Sequence, residues 1–265
     1  MFKVDRYDEI VRIIMGTEVN GRIIFSVAAY VADGLLIDTG CHNTRRELAA
    51  YLERHNISAA ANTHHHVDHI GGNKLIMDGL KVPVFAPSKS VPKIANKQKL
   101  FSYQKVLWGG PEPCEVKALR EKVNTAHYSF QVVQTSGHSE DHVVFFLEEK
   151  GWLFTGDEFT VENPNSSRKG EDNKKILKAL KRMLSLKPQL LISSSGKIYR
   201  DGSAVLKRTI AYYEAIRDAV CAMRKSGLTS EEIVSSLFGR ETSLKEYTGG
   251  NFSRKNFVEG FSCLE

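Results

Sequence analysis

At 265 residues, 42% of them hydrophobic, the chain can bury a full core as one large domain or as a domain with an appendage. No run approaches the roughly 18 apolar residues needed to span a bilayer, and Met1-Phe2-Lys3-Val4-Asp5-Arg6 does not begin a secretory signal, so a cytoplasmic location with no membrane partner is the expectation. The net charge of +6 excludes an acidic, solvating chain and draws attention to two basic stretches, residues 89–105 and 168–182. These read as solvated helix faces or as a field attracting an anionic small-molecule substrate. No nucleic-acid motif accompanies them, so nucleic acid is not the favoured partner.

In chain order, residues 10–14 and 23–31 are β-branched and apolar and read as strands, with Asn20-Gly21 as a hairpin turn signal. Gly34 sets off a further strand, Leu35-Leu36-Ile37. Residues 43–55 suit a helix capped by Asn43 or Thr44, with Leu48, Tyr51 and Leu52 at helical spacing. Residues 57–63 read as a short buried strand and residues 81–85 as another. The stretch 87–118 reads as irregular, with prolines at 87, 92, 111 and 113. Its Phe101, Tyr103 and Trp108 suit local packing or a substrate wall. Strands follow near 128–134, 142–147 and 151–155. Asp172-Asn173 can cap a helix whose Ile176, Leu177, Leu180, Met183 and Leu184 form one apolar stripe. Pro188 stops it, and Leu190-Leu191-Ile192 is expected as the last strand. The two halves thus repeat a strands-then-helix order. Residues 203–265 read as a mostly helical extension of a domain spanning 1–202. Its Thr229-Ser230-Glu231-Glu232 is a capping box. The extension packs on the domain or helps form a homodimer.

The chemistry concentrates in Thr63-His64-His65-His66-Val67-Asp68-His69-Ile70-Gly71-Gly72, where four of the nine histidines fall within residues 64–69. In an extended segment, residues i and i+2 point the same way. His64 and His66 can therefore face one ion while His65 faces elsewhere. Gly71-Gly72 permits a tight turn, so Asp68 and His69 sit where the chain bends back. Neutral imidazoles and carboxylates suit zinc, and also iron or manganese. A fortuitous histidine run in a surface loop is the competing reading. The setting between an apolar strand and Gly-Gly argues against it.

His64-x-His66-x-Asp68-His69 resembles the signature of the metallo-β-lactamase superfamily. Further landmarks follow that family's order: Asp38 in Leu36-Ile37-Asp38-Thr39-Gly40, His138 in Ser136-Gly137-His138-Ser139, and Asp157 in Thr155-Gly156-Asp157. The resemblance runs from about residue 15 to 215. It implies an αββα sandwich of two mixed sheets flanked by helices. It also implies a first metal site of His64, His66, His138 and Asp157, and a second of Asp68, His69 and Asp157. The family's usual last histidine is missing: Ser195 precedes Gly196, and serine is a poor ligand beside imidazole. One tightly bound ion is expected, with the second site weakened, unless His42 or His127 fills the gap.

The contexts of His138 and Asp157 look closer to the glyoxalase II-like branch than to antibiotic-cleaving enzymes, which implies hydrolysis of a thioester or other acyl substrate. Asp68 would orient the attacking water or accept its proton. Asp38 would sit behind the ligands and order their loop. Lys197 and Tyr199 are candidates for binding a substrate carboxylate. Three rival readings remain open: a mononuclear iron persulfide dioxygenase-like enzyme, a metal-dependent ribonuclease, and a metal-binding relative without turnover. Cys41, Cys114, Cys221 and Cys263 show no metal or redox spacing and read as reduced structural thiols. Cys41 alone lies near the expected site.

Overall fold

The computed structural model describes residues 1–263. Two mixed sheets face each other. The first runs, in spatial and chain order, through Phe2–Tyr7, Ile10–Met15, Val27–Ala32, Leu35–Ile37, Ala59–Ala61, Val84–Ala86 and Lys117–Ala118. Its first four strands are joined antiparallel, and from Leu35–Ile37 onward the pairing is parallel. The second sheet is Lys122–Asn124, Ser129–Gln134, Val143–Leu147, Trp152–Gly156, Leu190–Ser193 and Ile198–Arg200. Only Trp152–Gly156 and Leu190–Ser193 pair in parallel there, and the helix Asn173–Ser185 makes the crossover between them. A parallel pair needs such a connection because a hairpin cannot join strands running the same way.

Strand periodicity sorts the side chains into layers. In Val143–Leu147, Val143, Phe145 and Leu147 enter the core between the sheets, while Val144 and Phe146 enter the core under the outer helices. The first sheet does the same: Ala28, Tyr30, Leu35 and Ile37 face the second sheet, whereas Val27, Ala29 and Leu36 pack outward with Leu48, Leu52 and Ile76 of the helices Arg45–Leu52 and Asn73–Leu80. The inter-sheet core is aromatic, with Tyr30 and Phe130 both tilted against Phe154. The anticipated αββα sandwich is the architecture observed.

The helix Asn173–Ser185 begins at Asp172, whose carboxylate accepts from Lys174 N and Lys175 N. The capping box at Thr229 and Glu232 likewise forms, opening the helix Ser230–Phe238. The helical extension shares its core with the second sheet: Leu206, Ile210 and Phe257 pack with Ile176, Leu180 and Leu191. Its short strand Phe252–Ser253 pairs with Ser167–Arg168 beside the cavity described below. Residues 264 and 265 of the anticipated extension lie outside the described residues. Among the described residues, no helix is long and apolar enough to cross a membrane.

Several expectations need correction. Residues 23–31 are not one strand: Arg22–Ile23 turns back on Glu18–Val19 through Asn20-Gly21, and the chain re-enters the sheet only at Val27. The interruption frees Phe25 and Ser26 to line a cavity. The stretch 87–118 contains the helices Val91–Ile94 and Ser102–Leu107. Pro92 sits in the first turn of the former, where its missing N–H costs nothing. Leu190–Ser193 is followed by Ile198–Arg200, so it is not the last strand. Cys221 and Cys263 are joined in a disulfide with Cα atoms 5.4 Å apart, not held as free thiols. The fold returns residue 263 to the helix Gly202–Lys225, a proximity that their separation of 42 residues conceals. Cys41 and Cys114 are free and buried.

Candidate metal centre

The strand Ala59–Ala61 lies inside the first sheet, and the chain leaves its carboxyl end at Asn62 and Thr63. Ligands placed just beyond buried strands inherit the rigidity of the sheet. His64 is fully buried, and its Nε2 lies 2.8 Å from Nδ1 of His66. His65 turns the other way. Its Nδ1 meets the Asp141 carboxylate at 2.8 Å, and Asp141 also accepts from Ser90 Oγ at 2.5 Å. The loop is thereby pinned from behind. Gly71 is required at its turn, because a Cβ there would stand 2.1 Å from His42 N and 2.3 Å from the Cys41 carbonyl carbon.

His138 and Asp157 arrive from the second sheet. His138 Nε2 lies 3.0 Å from His66 Nδ1 and 3.3 Å from Asp157 Oδ2. The other Asp157 oxygen, Oδ1, lies 3.2 Å from His69 Nε2, and Asp68 Oδ2 stands 3.9 Å from the same nitrogen. Two donor clusters result: His64, His66, His138 and Asp157, and beside them Asp68, His69 and Asp157. The ligand atoms of each lie within 4.8 Å of one another.

The far side of each ring is held. Asp38 accepts from His69 Nδ1 at 2.8 Å and from Thr63 N at 2.8 Å. Glu171 lies 2.9 Å from His138 Nδ1, and Thr63 Oγ1 lies 3.0 Å from His64 Nδ1. Such partners fix each ring's orientation and leave the opposite nitrogen for the centre. Replacing Asp38 by alanine is therefore expected to weaken metal retention about 10–100-fold, measured by competition with a chelator of known affinity. Asp38 adopts a left-handed φ of 60°, a conformation that aspartate tolerates better than most residues.

The residues fit a divalent cation. His69 Nε2 and Asp68 Oδ1 are buried without a hydrogen-bond partner. An unpaired buried polar atom is costly unless something occupies the space between them. Burial pushes His64 and His66 well below the ordinary imidazole range, and cationic neighbours push the same way. They are thus held neutral, the form that binds metal. Burial also disfavours a charged His69, yet Asp157, Asp38 and Asp68 raise it well above that range. Burial opposes the Asp157 carboxylate, but His69 and His138 keep it ionised. The carboxylates around His69 form a negative box that a cation satisfies.

Other residues of the centre escape sequence reasoning. His142 is fully buried, pushed down to about 3 chiefly by burial, and its Nε2 accepts from Asp157 N at 3.1 Å. Gly137-His138-Ser139-Glu140-Asp141-His142 carried that signal as a second histidine in the loop. Glu158 is pushed up to about 7 by burial and accepts from the His138 backbone N–H at 3.2 Å. Arg168 places Nη1 2.8 Å from His66 Nε2. Neither Arg168 nor Glu171 has a local motif that marks it.

Four nominated residues, Lys197, Tyr199, His127 and His42, lie apart from the donor clusters. Lys197 is exposed, and Tyr199 packs edge-on to Phe159; neither lines the cavity at the centre. The strand Ile198–Arg200 carries them away from it. Ser195 does line the cavity, but its hydroxyl donates to the Thr160 carbonyl at 2.8 Å. The hydroxyl on the centre is that of Ser194, which donates to Asp157 Oδ1 at 2.6 Å. His127 is an exposed residue bonded to Asp33, and His42 lies against Gly109; neither joins a donor cluster. Burial raises the Cys41 thiol far above its ordinary value, so it stays protonated. Trp108 lines the cavity, Tyr103 is buried and donates to Asn251, and Phe101 is exposed.

The cavity holds about 350 Å³. Asp68, His138 and Asp157 line it together with the aromatic side chains of Phe25, Trp108, Phe159 and Phe252.

Residues 25–194 match the sequence profile of the Metallo-beta-lactamase superfamily. The chain is 27% identical over 192 residues to the probable metallo-hydrolase YybB of Bacillus subtilis, covering 69% of this chain and 86% of that protein. It is 26% identical over 236 residues to a hydroxyacylglutathione hydrolase of Prochlorococcus marinus, covering 84% of this chain and 86% of the relative. Three other relatives are spanned over only 56%, 45% and 34% of their length. In fold, it superposes on a metallo-beta-lactamase family protein of Thermus thermophilus with a TM-score of 0.65, at 20% identity, covering 94% of this chain and 90% of that one. With its histidine and aspartate clusters at the strand ends of an αββα sandwich, the chain belongs to the metallo-β-lactamase superfamily.

Proposed function

We propose that the protein is a metal-dependent hydrolase of a thioester or related acyl substrate. The observation carrying this reading is the meeting of the two donor clusters with an apolar-walled cavity, so that an acyl chain has a place beside polar groups. The relatives named hydroxyacylglutathione hydrolase favour acyl hydrolysis over the rival chemistries. Zinc, held by His64, His66, His138 and Asp157, would supply a Lewis acid and water acidified from 15.7 toward roughly 7.

The chain's own groups divide the remaining work. To Asp68, whose Oδ1 lacks a protein partner and which lines the cavity, we assign the orienting of the attacking water and the taking of its proton. Asp157 is held by the Ser194 hydroxyl and the His142 ring. Phe25, Trp108, Phe159 and Phe252 exclude bulk water from the acyl group. We assign one tightly held ion. Asp157 Oδ1, the oxygen facing His69, already accepts from Ser194, and Ser194-Ser195 supplies no imidazole to the second cluster.

The test is thiol release from a panel of acyl thioesters by protein as purified, after chelation, and after zinc is restored. Hydrolysis lost on chelation and recovered with zinc is expected. Thiol release that survives full metal removal contradicts the assignment.

A further inference from the structure

A second groove borders the same centre. It holds about 610 Å³, and His66 and His138 are among the residues that line it. His138, Arg168 and Glu171 line both this groove and the apolar cavity. The two spaces therefore both border the donor clusters, one walled by aromatic rings and one strongly basic.

Six cations line the groove, Lys89, Arg168, Lys169, Lys175, Lys178 and Arg182, against the carboxylates of Glu140, Glu171 and Asp172. All three acids are engaged. Glu140 pairs with Lys89, Glu171 holds His138, and Asp172 caps the helix Asn173–Ser185. By contrast, Lys169, Lys175, Lys178 and Arg182 are exposed and make no ion pair among the described residues; Lys181, on the neighbouring face, is paired with Glu214. Positions 175, 178 and 182 are spaced by three and four residues, so they share one helix face. At 1.5 Å rise per residue, this face carries cations from roughly 5 to 15 Å beyond Asp172.

We infer that the groove binds the leaving-group arm of the substrate, and that this arm is a thiol carried on a phosphorylated nucleotide. The inference rests on the thioester reading above and specifies its substrate class. An apolar acyl group fills the aromatic-walled cavity. The thioester carbonyl lies at the donor clusters, and the arm follows the basic helix face, with its phosphates near Lys178 and Arg182. In the reaction, water oxygen bonds to the carbonyl carbon and the carbon–sulfur bond breaks. One water proton leaves with sulfur as the free thiol, and the acyl group departs as a carboxylic acid. Charge along a groove of this kind raises the encounter rate with a polyanion and falls off with salt. It gives a neutral thiol carrier nothing.

The test compares octanoyl-coenzyme A with octanoyl-N-acetylcysteamine, which presents the same acyl group on a short neutral thiol. Wild-type protein and the double variant Lys178→Glu/Arg182→Glu are assayed for kcat/KM, and binding of desulfo-coenzyme A is measured by calorimetry. Thermal melting and metal content verify that the variant is intact. The wild type is expected to prefer the nucleotide-borne substrate by about tenfold or more, and the variant to lose most of that preference. Desulfo-coenzyme A binding should weaken in parallel. Equal preference and equal binding in both proteins would overturn the groove assignment. Absence of thiol release from either substrate would overturn the thioesterase reading instead, while desulfo-coenzyme A binding would still decide the groove. Preference for the same acyl group on an acidic carrier protein, with no binding of desulfo-coenzyme A, would replace the nucleotide by a macromolecular carrier.

Discussion

Asp68→Asn is expected to lower kcat for thioester hydrolysis by about 10²–10⁴, or roughly 2.7–5.4 kcal/mol of transition-state stabilisation, while leaving the first-site metal in place. Asp68 lies outside the cluster of His64, His66, His138 and Asp157, so that cluster keeps all its donors in the variant. Asparagine preserves the shape and an oxygen, but it cannot accept a proton. The residue is well placed to show the difference. It lines the cavity, and its Oδ1 is committed to no protein donor. Burial raises its carboxyl and so favours a group that can hold a proton during the reaction. Steady-state assay beside metal analysis checks the prediction. A variant retaining its ion and acting within about threefold of wild type would remove Asp68 from the proton-transfer role.

Phe154→Ala is expected to destabilise the fold by about 3–5 kcal/mol. Phe154 is 1% exposed and sits in the inter-sheet core, with ring centroids 5.8 Å from Tyr30 and 6.1 Å from Phe130. Truncation loses transfer energy and leaves a cavity between two sheets that cannot collapse without moving each other. The same strand, Trp152–Gly156, delivers Asp157 to the centre. Weaker metal retention should therefore accompany lower stability. Urea denaturation of the metal-free forms isolates the packing loss. A change below about 1 kcal/mol would mean that the sheets repack freely around this ring.

The fold and the centre were legible in the sequence to different depths. His64, His66, Asp68 and His69 stand in one short segment, where period-two geometry and a Gly-Gly turn speak directly. Asp38, His138 and Asp157 were legible only through the order of landmarks, since their meeting depends on two sheets facing each other. Arg168 and Glu171 were not legible. Their position follows from pairing of Ser167–Arg168 with Phe252–Ser253, more than 80 residues later in the chain. Ser194 and Ser195 show the limit of motif reading: both lie in the turn after the strand Leu190–Ser193, and the turn, which the sequence does not specify, aims the Ser194 hydroxyl at Asp157 and the Ser195 hydroxyl at the Thr160 carbonyl. Lys197 and Tyr199 lie off the cavity because the strand Ile198–Arg200, which no pattern in the sequence marks, carries the chain away from it. The helices Val91–Ile94 and Ser102–Leu107 are too short to carry a periodic signal against the prolines around them. The Cys221–Cys263 bond depends on tertiary return of the chain end, which spacing does not encode.

A cation joining His64, His66, His138 and Asp157 across the two sheets is what the proposed chemistry requires. Elemental analysis of protein purified without added metal and dialysed extensively tests it most directly. About one equivalent of zinc per chain is the predicted result, whereas a chain that emerges properly folded and free of any transition metal would contradict the centre itself.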